Sequence, residues 1–144
     1  MTALPSNRLR PVVRVTIYCP LRPDTFAALA RGELDAVASD PDAGPVLRII
    51  AGSTDLGNFG SYRGVCEIGL GIEAFTPGEG AVPTLGGVGT RTLSATAQIT
   101  TYVPAGLAPG RLDALVAALA AAHPWEIPVI EVAEISVFGR PPGS

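Results

Sequence analysis

The chain has 144 residues, 47% of them hydrophobic, and a formal net charge of −3, which suits one domain with its own apolar core. All ten basic residues are arginine, so a Walker-type phosphate loop and Schiff-base catalysis, both of which need a lysine amine, are excluded. The arginines are scattered and form no basic stripe of the kind that neutralises a nucleic-acid backbone.

Two cysteines, Cys19 and Cys66, lack CxxC spacing, and no basic leader with an apolar run precedes a cleavage site, which points to a cytoplasmic protein. No stretch approaches the roughly 18 apolar residues of a membrane span. Residues 1–11 mix prolines, arginines and polar residues without a period and read as a flexible arm. From Val12 the pattern changes: Val13, Val15, Ile17 and Cys19 alternate with Arg14, Thr16 and Tyr18, the period of a strand that Pro20 ends. Asp24 is placed to cap a helix whose apolar face is Phe26, Leu29, Ala30, Leu34 and Val37, weakened by Gly32. Between Ser39 and Leu56 the chain is rich in Pro, Asp and Gly around Val46–Ile50, and no element follows from it.

Alternation resumes over Tyr62–Phe75, with Cys66, Ile68, Leu70, Ile72 and Ala74 on one side and Glu67, Gly69, Gly71 and Glu73 on the other. A second strand, Leu93–Val103, sets Leu93, Ala95, Ala97, Ile99 and Val103 against Ser94, Thr96, Gln98 and Tyr102, and the two are expected to pair. The connection Thr76–Thr92 holds Gly78, Gly80, Gly86, Gly87 and Gly89 and is far longer than a tight turn needs. Pro109-Gly110 introduces a helix with Leu112, Leu115, Val116 and Leu119 on one face. His123-Pro124 stops it, because the residue before proline is pushed out of the helical region. Ile127–Phe138 is the last strand, and residues 139–144 read as a flexible tail.

The order strand, helix, strand, strand, helix, strand predicts a ferredoxin-like α+β fold, βαββαβ, over residues 12–138, with two helices on one face of a four-stranded antiparallel sheet. The other face is left bare and only partly polar, which suggests cover by a partner subunit.

His123-Pro124-Trp125-Glu126-Ile127-Pro128 resembles the HPYE-x-P signature near the last strand of CutA divalent-cation-tolerance proteins and of the CutA-like domain inserted in YqfO-type, Nif-three-like proteins. The latter carry G-N-Y, then a cysteine, then a stretch rich in Gly and Pro. Here Gly57-Asn58-Phe59, Cys66, Gly71, Phe75, Pro77, Gly80, Ala81, Pro83, Gly86 and Gly89 match in order, so that the resemblance spans about Val12 to Val137. Trp125 replaces Tyr, Ile127 replaces a second Glu, and extra residues lie between Ser39 and Leu56. The resemblance, which extends to PII-like proteins, implies a homotrimer with a regulatory or ligand-binding role. It does not imply the dinuclear metal site of the flanking Nif-three-like lobes, whose ligands have no counterpart here.

With a single histidine, a metal site within one chain lacks ligands. His123 and Glu126 could hold one only across a trimer, and a helix-terminal role for His123 is the simpler reading. The expected ligand site combines Gly86, Gly87, Gly89 and Arg91 of a mobile glycine-rich loop, suited to a small anion, with His123, Trp125 and Glu126. No cofactor and no catalytic residue is assigned: Glu67/Glu73 and Glu131/Glu134 read as exposed sheet carboxylates, and Ser, His and Asp occur in no triad motif. Cys66 reads as a packed thiol. A non-enzymatic trimeric module binding a small ligand or a protein partner at subunit clefts is the expectation. The alternatives are a purely structural or interaction domain and a CutA-type protein binding a divalent cation.

Overall fold

The structure, a computed structural model, describes residues 8–139. The arm expected at 1–11 and the tail at 139–144 therefore fall largely outside the described residues. Strand β1 runs Leu9–Pro20 and starts before Val12, because Leu9, Arg10 and Pro11 pair with Phe138, Val137 and Ser136. Pro11 is tolerated there since the neighbour on the other side pairs only from Val12 onward, leaving no ladder bond for its missing N–H to break.

Helix α1 covers only Pro23–Ala30. Pro23 sits in its first turn, where proline is favoured, and Asp24 does not cap it: the Asp24 carboxylate accepts the Thr25 N–H instead. The expected continuation to Val37 fails at Gly32, whose φ of 88° closes the helix in the left-handed conformation usual after a last helical residue. Leu34–Ser39 forms a 3-10 turn, and a second helix, α2, spans Ala43–Gly52 in the stretch that showed no pattern. The first crossover thus holds two helices, not one. Asp40 organises it. The Asp40 carboxylate accepts the Arg22 N–H at 3.0 Å and those of Asp42 and Ala43 at 2.9 Å each, joining the start of α1 to the start of α2.

Strands β2 (Cys66–Phe75), β3 (Thr92–Pro104) and β4 (Val129–Phe138) and helix α3 (Arg111–Ala122) complete a four-stranded sheet of order β2-β3-β1-β4, antiparallel throughout. This is the ferredoxin-like arrangement. The helices cover one sheet face, where Val15, Ile17, Cys19, Ala97, Ile99 and Val103 pack with Val46 and Ile50 of α2 and Leu115 and Leu119 of α3. The apolar side of β2 is different: Ile68, Leu70 and Ile72 are 38, 43 and 71% exposed, because β2 is an edge strand and the buried core centres on β1 and β3. Among the described residues no helix is long and apolar enough to cross a membrane.

Two local devices carry the G-N-F segment. Gly57 has φ 66°, and a Cβ there would run into the backbone of Val65, whose N–H donates to the Gly57 carbonyl. Asn58 accepts the Gly60 N–H at 2.9 Å, an Asx turn.

Candidate functional site

At the end of the sheet where β1 and β2 finish and β3 and β4 begin, two connections meet: the 76–91 loop and the 123–128 strap. His123, at the end of α3, turns extended with ψ 136°, as its following proline demands. The residue is 6% exposed. Nε2 lies 2.6 Å from the Tyr18 carbonyl oxygen, and Nδ1 accepts the Trp125 N–H at 3.1 Å. The carbonyl can only accept, so Nε2 carries the proton. Burial holds the His123 pKa below its ordinary 6.5, against the Tyr18 hydrogen bond and the Asp42 charge, which act the other way. With both ring nitrogens engaged, His123 pins the strap to β1 and leaves no lone pair for a metal or ligand.

The strap in turn fastens the loop. Glu126 Oε2 accepts the Val82 N–H at 2.7 Å, and Thr84 Oγ1 donates to the Pro124 carbonyl at 3.0 Å. Inside the loop the Gly89 N–H donates to the Pro77 carbonyl at 2.7 Å, and Gly86, at φ 81°, has no room for a side chain against Thr92. The glycines here shape turns.

Between loop and strap lies a cavity of about 200 Å³, lined by Glu73, Phe75, Pro77, Ala81, Pro83, Thr84, Leu85, Trp125, Glu126 and Ile127. Trp125 meets Phe75 edge to face, 5.1 Å between ring centres. Of the residues expected from sequence, Trp125 and Glu126 line it; His123 stands behind Trp125, ring centres 5.9 Å apart. Gly86, Gly87, Gly89 and Arg91 are not in its wall. Sequence reasoning missed Glu73, treated as an ordinary sheet carboxylate. It also missed Phe75, Pro77, Ala81 and Pro83 as a wall, although all four were among the matched positions of the resemblance.

Glu73 is the unusual group. Its Oε2 is buried with no hydrogen-bond partner, and desolvation raises its pKa above the ordinary 4.5. The carboxylate pairs weighed for acid–base work do not come together: Glu67 and Glu73 are six strand residues, about 20 Å, apart, and Glu131 and Glu134 point to opposite faces of β4. Burial and then nearby acids push the Cys19 thiol up to about 12, and burial likewise raises half-buried Cys66, so neither is a ready nucleophile. Among the described residues no group of three or more His, Cys, Asp or Glu could hold a metal.

The middle of the uncovered sheet face is polar. Tyr18 Oη donates to Glu131 Oε1 at 2.7 Å, and Gln98 Nε2 donates to Tyr18 Oη at 3.3 Å; Arg14, Glu67, Thr100 and Tyr102 complete the floor.

No protein-family model and no curated protein matches the sequence. Among solved structures, a Bacillus cereus protein related to NIF3 superposes on 91% of the chain with a TM-score of 0.60 at 20% identity, and the chain spans 27% of that protein. At that identity the likeness speaks for the fold: the chain has the architecture of one domain of a longer NIF3-related protein. CutA1 from Oryza sativa pairs with 89% of the chain, and 83% of its own, at 16% identity and a TM-score of 0.39, too loose to carry a conclusion.

Proposed function

We propose that this chain is a non-enzymatic, homotrimeric CutA/PII-like module with a regulatory role, and that it binds a small ligand in the cavity between the 76–91 loop and the 123–128 strap. One observation carries the ligand reading: the loop and strap, tied by Val82–Glu126 and Thr84–Pro124, border a mostly apolar, half-open cavity, and one of its lining residues, Glu73, has a carboxylate oxygen buried unpaired. Concave apolar pockets with a few placed polar groups are how small-molecule sites are built, and an unsatisfied buried acceptor is costly unless something else requires it. Loop and strap belong to one chain, so a single chain supplies all ten residues of this wall. The exposed Ile68, Leu70 and Ile72 on edge strand β2 support association, since a long bare edge is otherwise an aggregation hazard. A regulatory role is what the sequence resemblance to CutA and PII proteins implies.

The test is a thermal-shift screen of small fragments on the full chain, with light scattering alongside. Compounds that bind the native state raise its melting temperature by mass action and change the emission of Trp125, the only tryptophan. Fragments that shift melting without touching Trp125 emission would place the ligand elsewhere, and a monomer mass at micromolar concentration would remove the trimer.

A further inference from the structure

We infer that the cavity beneath the 76–91 loop accepts a small organic cation, an ammonium group on an apolar body about the size of a benzyl ring, with Glu73 as its counter-ion and the Trp125–Phe75 pair as its aromatic wall. The inference rests on the reading of this cavity as a ligand site and adds the class of ligand.

The lining carries two carboxylates, Glu73 and Glu126, and neither arginine nor histidine. Glu126 spends one oxygen on the loop, Oε2 accepting the Val82 N–H at an exposed position. Glu73 Oε2 is, among the described residues, the single buried side-chain polar atom without a partner. An acceptor taken from water and left unpaired costs stability, most of all when charged. A donor that is itself cationic returns both the hydrogen bond and the charge balance, and aromatic rings beside it attract the same charge through their quadrupoles. Each other ligand class meets an obstacle. An anion would face two carboxylates with no cation to offset them. A neutral apolar body would leave Glu73 as unpaired as before. A hard metal ion wants six or more oxygens, and this wall is mostly hydrocarbon. The volume suits such a group: a cavity of roughly 150 Å³ takes benzene, so about 200 Å³ has room for a ring with one short polar arm.

Burial that raises the Glu73 carboxyl agrees with a group awaiting a partner of opposite charge.

Trp125 reports on the cavity directly. Its fluorescence is titrated in the full chain with benzylammonium, benzyl alcohol, benzoate and calcium chloride. Benzylammonium is expected to bind at least about tenfold more tightly than benzyl alcohol, the size of effect a desolvated ion pair and aromatic contact provide, with benzoate weakest and calcium silent. In Glu73→Gln, a near-isosteric change, ammonium and alcohol are expected to bind within about threefold of each other. If alcohol, benzoate or calcium binds the unaltered protein as well as the ammonium does, the charge assignment is wrong while the cavity remains a ligand site. An ammonium preference that survives Glu73→Gln overturns the role of Glu73. Silence from all four probes overturns the ligand reading along with this inference. Should the variant fold poorly, the preference measured on the unaltered protein still decides the ligand's charge.

Discussion

Asp40, a buried carboxylate, and Glu73, a half-buried one with a single oxygen withdrawn from water, lie near the same end of the sheet, and their surroundings are opposite. Asp40, 2% exposed, receives three backbone N–H groups. Burial pushes its pKa up, yet these donors, with the Thr25 hydroxyl, outweigh it and hold the carboxyl below its ordinary 3.8. Glu73 receives nothing at Oε2, and its partial burial, unopposed, moves its pKa upward. A carboxylate whose charge is answered by the fold is a structural tie. One whose charge is left unanswered at a cavity wall weakens the fold, and an outside partner gives it a use.

The largest expected effect tests the first half of this contrast. Asp40→Ala removes the acceptor for three N–H groups at the starts of α1 and α2, and a loss of about 3 kcal/mol in urea unfolding is expected. Asp40→Asn should fall between, since an amide has one acceptor oxygen where the carboxylate uses two. The sign with pH follows from the lowered pKa: the contribution is present above 3.8 and is lost as pH falls through the lower native value. A variant as stable as the parent at neutral pH would mean that these bonds only replace ones made to water.

His123 is a third buried titratable group, satisfied at both nitrogens, and it sharpens the contrast by joining the two regions. Its lowered pKa means that the unfolded chain takes up the proton first. Stability is therefore full above about pH 6.5 and declines as pH drops below it. His123→Ala should cost about 2 kcal/mol, abolish that decline, and shift Trp125 emission toward the red as the strap loosens. An unchanged Trp125 spectrum in a destabilised variant would detach the strap from His123 and weaken its part in shaping the cavity.

How much of this was legible in the sequence depends on where the information sits. Alternation in Val13–Cys19 and Leu93–Val103 and the heptad-like face of Leu112–Leu119 gave the central strands and α3, because their burial is one-sided and repeats with the element's own period. Helix α2 escaped because its start is announced by Asp40, three residues ahead of Ala43, and its ten residues include two glycines. The exposure of Ile68, Leu70 and Ile72 escaped because alternation tells which residues share a face, and says nothing of whether a helix reaches far enough to cover it. The strap residues Trp125 and Glu126 were found from the resemblance. Gly86, Gly87, Gly89 and Arg91 were weighed as a backbone and cationic cradle for an anion, whereas the wall of this cavity is made by Pro77, Ala81, Pro83 and Leu85, which precede them in the loop. Glu73 looked ordinary, since the strap that lines the same cavity lies about fifty residues away in the chain.

The smallest expected effect has the opposite sign and bears on the second half of the contrast. Glu73→Gln keeps the shape of the side chain and removes the charge that the native fold leaves unanswered, so the variant should be more stable than the parent at neutral pH. Glu73 is partly open to water, which screens the penalty, and the gain is held to about 0.5 kcal/mol, or roughly 1–2 °C in melting temperature for a chain of this length. The raised pKa fixes how the gain varies with pH. The carboxylic acid is favoured in the native state, so the parent's relative stability is complete below the ordinary 4.5 and is lost as pH rises through the higher native value. Parent and variant should therefore melt together in acid, where Glu73 is a neutral carboxylic acid much like the amide, and separate as pH rises toward 7. A saturating ammonium ligand should reverse their order at neutral pH, because it stabilises the charged parent and gains little from the amide. Equal melting temperatures at every pH would show that water screens the Glu73 charge completely in solution, and would leave its carboxylate as ordinary as the sequence made it look.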